Sequence, residues 1–323
     1  MPAHLGPLPL PEQGQSQSGY FTFDDPELAR YQWPYVAVAG AESGPTFLVT
    51  AGIHAAEYTG ILAAIRLARR LDPLEVAGTI AIIPLLNRPG FYERSMYVNP
   101  EDNQNLNRAF PGRADGSWSE RFAHHLLQDL VRRCDYLADL HAGDLIEDLE
   151  PFVIYHETGN AAVDRASQQM ADAYGLRWAS KGRPTGERPG LLYAAAAEHG
   201  VPAITPESGR CGLVEEDAIQ RHVDGMLNVW RTLGVLRDAP PRKPEPPRTL
   251  SRFEWLRAEH EGIFQCRVRV NDQVQSGQLL GEMIDLLGNP LGEVHAPVAG
   301  VVLFTVTSPA IKHGGLLLGI GVP

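Results

Sequence analysis

Residues 46–71 read TFLVTAGIHAAEYTGILAAIRLARRL. The opening TFLVTAG is β-branched and aromatic, as a buried strand should be. From Tyr58 onward, apolar residues recur at helical spacing until a basic turn at Arg69 and Arg70. A strand that passes directly into a helix is the repeating unit of an α/β layer. The junction carries His54 and Glu57, on the strand-to-helix turn and the first helical turn, and their spacing lets both side chains converge on one point. A glutamate there is also favoured by the helix dipole alone, so an isolated H-x-x-E decides nothing without partners.

The same alternation continues outward. GTIAIIPLLN, YLADLHAG, PFVIYH and VPAITPESG read as further strands, and SWSERFAHHLLQDLVRRC, AAVDRASQQMADAYG and EEDAIQRHVDGMLNVWRTLG as helices. The first of these helices opens with Ser117-x-x-Glu120, a capping-box pattern. Near-continuous apolar strands between helices predict an α/β domain over residues 31–236, a mixed sheet flanked by helices. Residues 1–30 are rich in Pro, Gln and Ser and are expected to form a loose arm. Residues 237–250, RDAPPRKPEPPRTL, read as a proline-stiffened linker. Beyond it, alternation in FQCRVRV and glycine turns predict a small all-β module over residues 251–323.

The composition, 44% hydrophobic and 21% charged over 323 residues, is that of an ordinary globular chain. A formal net charge of −11 argues against nucleic acid or an anionic membrane as the main partner. An anionic small molecule would need a local arginine cluster. Three scattered cysteines suggest neither a disulfide framework nor a cysteine metal knuckle. No signal-peptide pattern and no membrane-length apolar run is visible, so a reducing cytoplasm is the expected setting. The sequence admits a homo-oligomer without fixing one.

Three other elements could keep His54 and Glu57 company. His141 ends the strand YLADLHAG, and ligands in open α/β sheets bind at the carboxyl ends of strands. Two histidines and a carboxylate, with the fourth position open, make a catalytic zinc set. The loop NPEDNQNLNRAFPG, residues 99–112, carries Asn107 and Arg108, with Arg94 upstream; a guanidinium fork suits a substrate carboxylate. Glu207 ends VPAITPESG, where a carboxylate that is not a ligand can act as general base. Singly, each has an ordinary structural reading: a satisfied histidine, a polar turn, a glutamate at a strand exit.

In order, H-x-x-E, N-L-N-R-x-F-P-G, D-L-H and the strand-end glutamate resemble the succinylglutamate desuccinylase/aspartoacylase family of zinc carboxypeptidase-like hydrolases. The likeness spans residues 45–235, and the β module fits the family's C-terminal part. The resemblance implies one Zn²⁺ held by His54, Glu57 and His141, with Glu207 as general base. It further implies that Asn107 and Arg108 grip a substrate carboxylate and that Arg94 polarises the scissile carbonyl. The implied reaction is hydrolysis of the amide bond of a small N-acyl amino acid or N-acyl amine. One position departs from the pattern. Many relatives carry aspartate where this chain has Asn105, which can accept a hydrogen bond from a ligating histidine but lacks the charge that raises ligand basicity.

Asp144 and Glu147 add negative charge after His141 and point to a cationic amine part in the substrate. Arg183 and Arg188 lie in a loop that reads either as solvated or as reaching a second carboxylate or the acyl group. A carboxypeptidase acting on peptides would use the same chemistry with a wider cleft. A carrier or non-catalytic metal-binding role is the alternative from another class. The hairpin region of the β module resembles biotinyl/lipoyl-type domains, yet residues 270–300 contain no lysine to modify, which favours a lid or an assembly contact. His124 and His125 fall within a capped helix, and Trp118, Trp178, Trp230 and Trp255 are read as packing residues.

Overall fold

A computed structural model describes residues 4–182 and 190–323. Nine strands form one mixed sheet: β1 Gln15–Phe21, β2 Trp33–Ala39, β3 Glu42–Ala51, β4 Ala77–Ile83, β5 Tyr136–Leu140, β6 Phe152–His156, β7 Trp178–Gly182, β8 Ala203–Glu207 and β9 Arg248–Leu250. Their spatial order is β9-β7-β6-β8-β5-β3-β4-β2-β1. The central run β8-β5-β3-β4 is parallel, while β6 meets β8 and β2 meets β4 antiparallel. Parallel strands must be buried on both faces, and every residue of β4 is buried.

Six helices supply that cover: α1 Tyr58–Ala68, α2 Arg88–Glu93, α3 Trp118–His125, α4 Ala161–Tyr174, α5 Leu192–Glu198 and α6 Glu216–Thr232. Ile61 and Leu67 of α1, Met170 of α4 and Val223 and Trp230 of α6 pack with Phe47, Val49, Ile80 and Leu140 in one core. Trp118 and Phe122 of α3 and Leu192 of α5 pack with Trp33, Leu48 and Leu137 in the other. The Ser117–Glu120 capping box forms in both directions and starts α3. That helix passes into a π turn over Leu126–Leu130, so the long predicted segment is not one regular helix.

Two expectations about the chain's edges are corrected. Residues 4–30 are no loose arm. β1 pairs antiparallel along the whole of β2 and closes one edge of the sheet, while Leu5, Leu8, Phe21, Phe23 and Leu28 are buried. Polar QSQS at an exposed edge looks like a tail in sequence, but it is the outward side of a strand anchored by the aromatic cluster of Phe21, Phe23 and Trp33. The Pro-rich segment likewise does not run free to residue 250, because Arg248–Leu250 pairs parallel with β7 as the opposite edge.

Residues 252–322 form two antiparallel sheets around Phe264, Leu280, Met283, Val302, Leu317 and Leu318. One strand is lent across the boundary, beside a cluster of Phe152, Trp178 and Leu250 with Val301 and Leu303. The strand Glu147–Leu149, from the loop after β5, pairs with Gly300–Val306 of this region. Trp118, Trp178 and Trp230 are core residues, whereas Trp255 is half exposed and stacks on Phe253. No helix among the described residues is long and apolar enough to cross a membrane.

Candidate active site

Register brings the pieces together. β3 and β5 pair with Thr50 opposite Asp139 and Ala51 opposite Leu140, and His141 forms a single parallel bridge to Glu207 at the end of β8. His54 and Glu57 follow β3, His141 follows β5 and Glu207 ends β8, so all four leave the carboxyl ends of adjacent strands. The turn is tight. Gly52 takes a left-handed φ of 64°, and a Cβ on Gly60 would stand 2.6 Å from the Leu140 carbonyl oxygen. A side chain at residue 60 would push α1 off the end of β5 and withdraw Glu57 from the cluster.

The buried Glu57 carboxylate lies between two buried imidazoles. Its Oε1 is 2.6 Å from His54 Nδ1, its Oε2 is 2.9 Å from His141 Nδ1, and Oε2 also accepts the Ala142 amide hydrogen at 3.0 Å. The donor atoms of His54, Glu57 and His141 lie within 4.8 Å of one another. Both outer ring nitrogens are engaged elsewhere: His54 Nε2 is 3.1 Å from Asn105 Oδ1, and His141 Nε2 is 2.8 Å from Asp139 Oδ2. Asp139 also accepts from the Thr50 hydroxyl at 2.7 Å. Each ring is therefore aimed with Nδ1 inward, and two imidazole nitrogens plus one carboxylate oxygen are a donor set suited to zinc.

Charges here are strongly coupled. Burial opposes a charge on His54 and His141, but Glu57 overrides it and raises both imidazoles above their ordinary value, with Asp139 adding to His141. Burial also opposes a charge on Glu57, yet the two imidazoles hold its carboxyl below the usual range. Each Nδ1 then presents a proton to Glu57, and a divalent cation can take the place of those protons.

Glu207 behaves in the opposite way. Burial, aided by Glu57, Glu147 and Asp139 and opposed by His141, pushes its carboxyl well above the ordinary value. Its Oε1 lies 3.9 Å from His141 Nδ1 and its Oε2, fully buried, has no hydrogen-bond partner among the described residues. A carboxyl with raised pKa and an unused oxygen beside a metal-ligand set is equipped to exchange a proton.

The loop residues separate into two groups. Buried Asn107 joins the cluster, with Nδ2 3.5 Å from His141 Nε2 and Oδ1 held by the Leu192 amide at 2.9 Å. Arg108 is exposed and donates to the Asn107 carbonyl at 2.6 Å. Arg94 is not brought into bonded contact. It caps α2 in a left-handed conformation through its backbone amide, and its exposed side chain has no hydrogen bond or ion pair among the described residues. Its segment does reach the site through Tyr97, whose ring centroid is 6.4 Å from that of His54. Arg183 and Arg188 lie outside the described residues.

Asp144 is fully buried and accepts the Tyr97 and Leu145 amide hydrogens. Glu147 accepts the Asp144 amide hydrogen at 2.9 Å, and burial together with Glu57 raises its carboxyl to about 7. Asp139 and Tyr97 escaped the sequence reading. Asp139 left a signal, since Asp139 and His141 are two apart and strand periodicity puts them on one face; Tyr97 left none, because its loop has no period.

A sequence profile of the succinylglutamate desuccinylase/aspartoacylase catalytic domain matches residues 43–233. The chain is 30% identical over 254 residues to the N-alpha-acetyl-L-2,4-diaminobutyric acid deacetylase of Halomonas elongata, covering 78% of this chain and 74% of that protein. Among solved structures it is similar to the product-bound ectoine utilization protein EutE (DoeB) from Ruegeria pomeroyi, with TM-score 0.86 and 26% identity over 98% of this chain and 99% of that one. It is also similar to a succinylglutamate desuccinylase from Silicibacter, with TM-score 0.84 and 26% identity over 98% and 97% of the two chains.

Proposed function

The chain belongs to the succinylglutamate desuccinylase/aspartoacylase family, and from that premise we propose that it is a zinc-dependent deacylase that hydrolyses the amide of a small N-acyl amino acid. The observation that carries this reading is the convergence of His54, Glu57 and His141 beside a Glu207 carboxyl with an unpartnered buried oxygen. His54 Nδ1, His141 Nδ1 and Glu57 would hold the zinc, which when bound supplies a Lewis acid for the carbonyl and acidifies water. Glu207 takes a proton from the attacking water and delivers it to the departing amine. Asn107 and Arg108 hold the substrate carboxylate. Arg94, exposed and uncommitted, is assigned to the scissile carbonyl once substrate fills the cleft.

The preferred substrate is an Nα-acetyl diamino acid of the 2,4-diaminobutyrate type. Asp144 and Glu147, which follow His141 in the chain, offer carboxyl groups that suit a second, cationic amine, and the Halomonas relative is named for such a substrate. The three unpaired cysteines fit a reducing cytoplasm.

The test is acetate release from Nα-acetyl-2,4-diaminobutyrate, compared with N-acetylaspartate, N-succinylglutamate and a short peptide, before and after chelation. Loss on chelation, return with Zn²⁺ and preference for the diamine are expected. Turnover indifferent to the chelator would refute the metal, and preference for the peptide would make the chain a carboxypeptidase.

A further inference from the structure

Beneath the site lies a third buried imidazole that the hydrolytic scheme does not use. His222 is 0% exposed in the middle of α6, on the face it shares with Ile219, Val223 and Met226. An apolar residue would fill that place without the cost of burying a polar ring. Instead, its Nε2 is 2.9 Å from the His141 carbonyl oxygen and 3.1 Å from the Ser208 carbonyl oxygen. Its Nδ1 is 2.7 Å from the hydroxyl oxygen of Tyr174 on α4. Carbonyls only accept, so Nε2 carries the hydrogen, Nδ1 is the acceptor, and the Tyr174 hydroxyl donates to it. Burial lowers the ring to about 4, which keeps it neutral near pH 7.

The two carbonyls belong to the backbone at the ends of β5 and β8. His141 is itself a ligand in the scheme above, and Ser208 follows Glu207. The same Ser208 oxygen accepts from the Thr59 hydroxyl at 2.6 Å, which ties in α1, the helix that begins after Glu57. One N–H thus spans the strand that carries a ligand and the strand that carries the base, at a point where α1 is also anchored.

We propose that His222, oriented by Tyr174, is the positioning residue that sets the spacing between His141 and Glu207 by holding the His141 and Ser208 carbonyls with a single N–H. The proposal rests on the hydrolase reading for what that spacing serves. Each carbonyl keeps a second donor, the Ser208 amide for His141 and the Thr59 hydroxyl for Ser208. Loss of the imidazole therefore orphans neither carbonyl; it removes the imidazole tie and leaves the Ser208 amide to His141 carbonyl bond to hold the two strand ends. Misplacement of a reacting group by about 1 Å can cost on the order of 10² in rate.

The experiment compares full-length, zinc-loaded His222→Leu, His222→Gln and Tyr174→Phe with the parent. It measures kcat and KM, zinc affinity by chelator competition, and the visible absorption of the Co²⁺-loaded proteins. His222→Leu should lower kcat about 10–100-fold, shift the cobalt bands and leave KM within about threefold. His222→Gln, which returns an N–H near the Nε2 position, should recover kcat to within about fivefold, with Tyr174→Phe between the two. Parental kcat and cobalt bands in folded His222→Leu would overturn the proposal, as would equal impairment of Leu and Gln. If His222→Leu does not fold, Tyr174→Phe decides, and parental behaviour there overturns it. The cobalt and affinity readings need no substrate, so a parent without amidase activity would refute the hydrolase reading and leave the cross-tie to be judged on the metal site.

Discussion

The two halves of the chain treat buried polarity in opposite ways. Residues 252–322 bury a single polar side chain among those described, Thr305, around a core of Leu280, Val302, Leu317 and Leu318. The nine-stranded half buries many more, and among them His54, Glu57, Asn107, Asp139, His141, Asp144, Ser208 and His222 gather at or near the carboxyl ends of its central strands. Topology accounts for the difference. Parallel β3, β5 and β8 deliver three strand ends to one side of the sheet, whereas antiparallel pairing in the second region alternates strand ends and gathers nothing. Buried polar groups are tolerated only where they satisfy one another, and the first half provides that network. The lesson is that chemistry belongs to one half and shape to the other, with Glu147–Leu149 as the strand lent across the boundary and Phe152, Trp178 and Leu250 packed on Val301 and Leu303 beside it.

The largest expected effects would break this division at its centre. His54→Ala removes one of the three proposed ligands and should abolish both bound metal and activity. Glu207→Gln keeps the shape of the side chain and all three ligands, so metal content should stay near that of the parent while kcat falls about 10²–10⁴-fold. Metal analysis and kinetics on both variants check the pair. A fully active Glu207→Gln would remove Glu207 from proton transfer, and a metal-loaded His54→Ala would remove His54 from the ligand set.

The next effect sharpens the comparison within the site, because its two imidazoles are unequally supported. His141 leans on a fully buried carboxylate, Asp139, and His54 on the neutral amide of Asn105. A charged partner raises the basicity of the coordinating nitrogen. Asp139→Asn should weaken zinc binding about 10–100-fold, and Asn105→Asp should tighten it by a smaller factor, since its site is less enclosed. Chelator competition measures both. Tighter binding in Asp139→Asn would mean that charge around the cluster already exceeds what the cation needs.

Much of this arrangement was legible in the sequence, for identifiable reasons. Continuous apolar runs such as AGTIAII can only be buried strands, and Ile61, Ala64 and Leu67 mark one face of α1, so the α/β layering followed. His54, Glu57, His141 and Glu207 stand at strand ends, where position alone implies convergence. The edges were not legible. QSQSGYF lacks an apolar face because an exposed edge strand needs only one anchor, and Arg248–Leu250 is too short to show a period. His222 was equally hidden, since a histidine on the apolar stripe of an amphipathic helix has no pattern that distinguishes a clamp from a filler. Arg94 shows the limit of motif reasoning: the sequence marks it, but the fold leaves its side chain exposed and without a partner among the described residues.

The smallest expected effect on turnover tests the other half. Leu280 is fully buried in the sheet that does not include the bridging strand. Leu280→Ala removes packing and leaves a cavity, so stability should drop by about 2–5 kcal/mol. If chemistry and shape are divided as the buried polar groups indicate, kcat per folded molecule and zinc affinity should match the parent at temperatures where the variant remains folded. Denaturant unfolding gives the first quantity, and kinetics corrected for the folded fraction give the second. A fall in kcat well beyond the loss of folded protein would mean that strain in the β module reaches the cluster, and the strand pairing of Gly300–Val306 with Glu147–Leu149, next to the Asp144 amide that Glu147 holds, is a direct route for it.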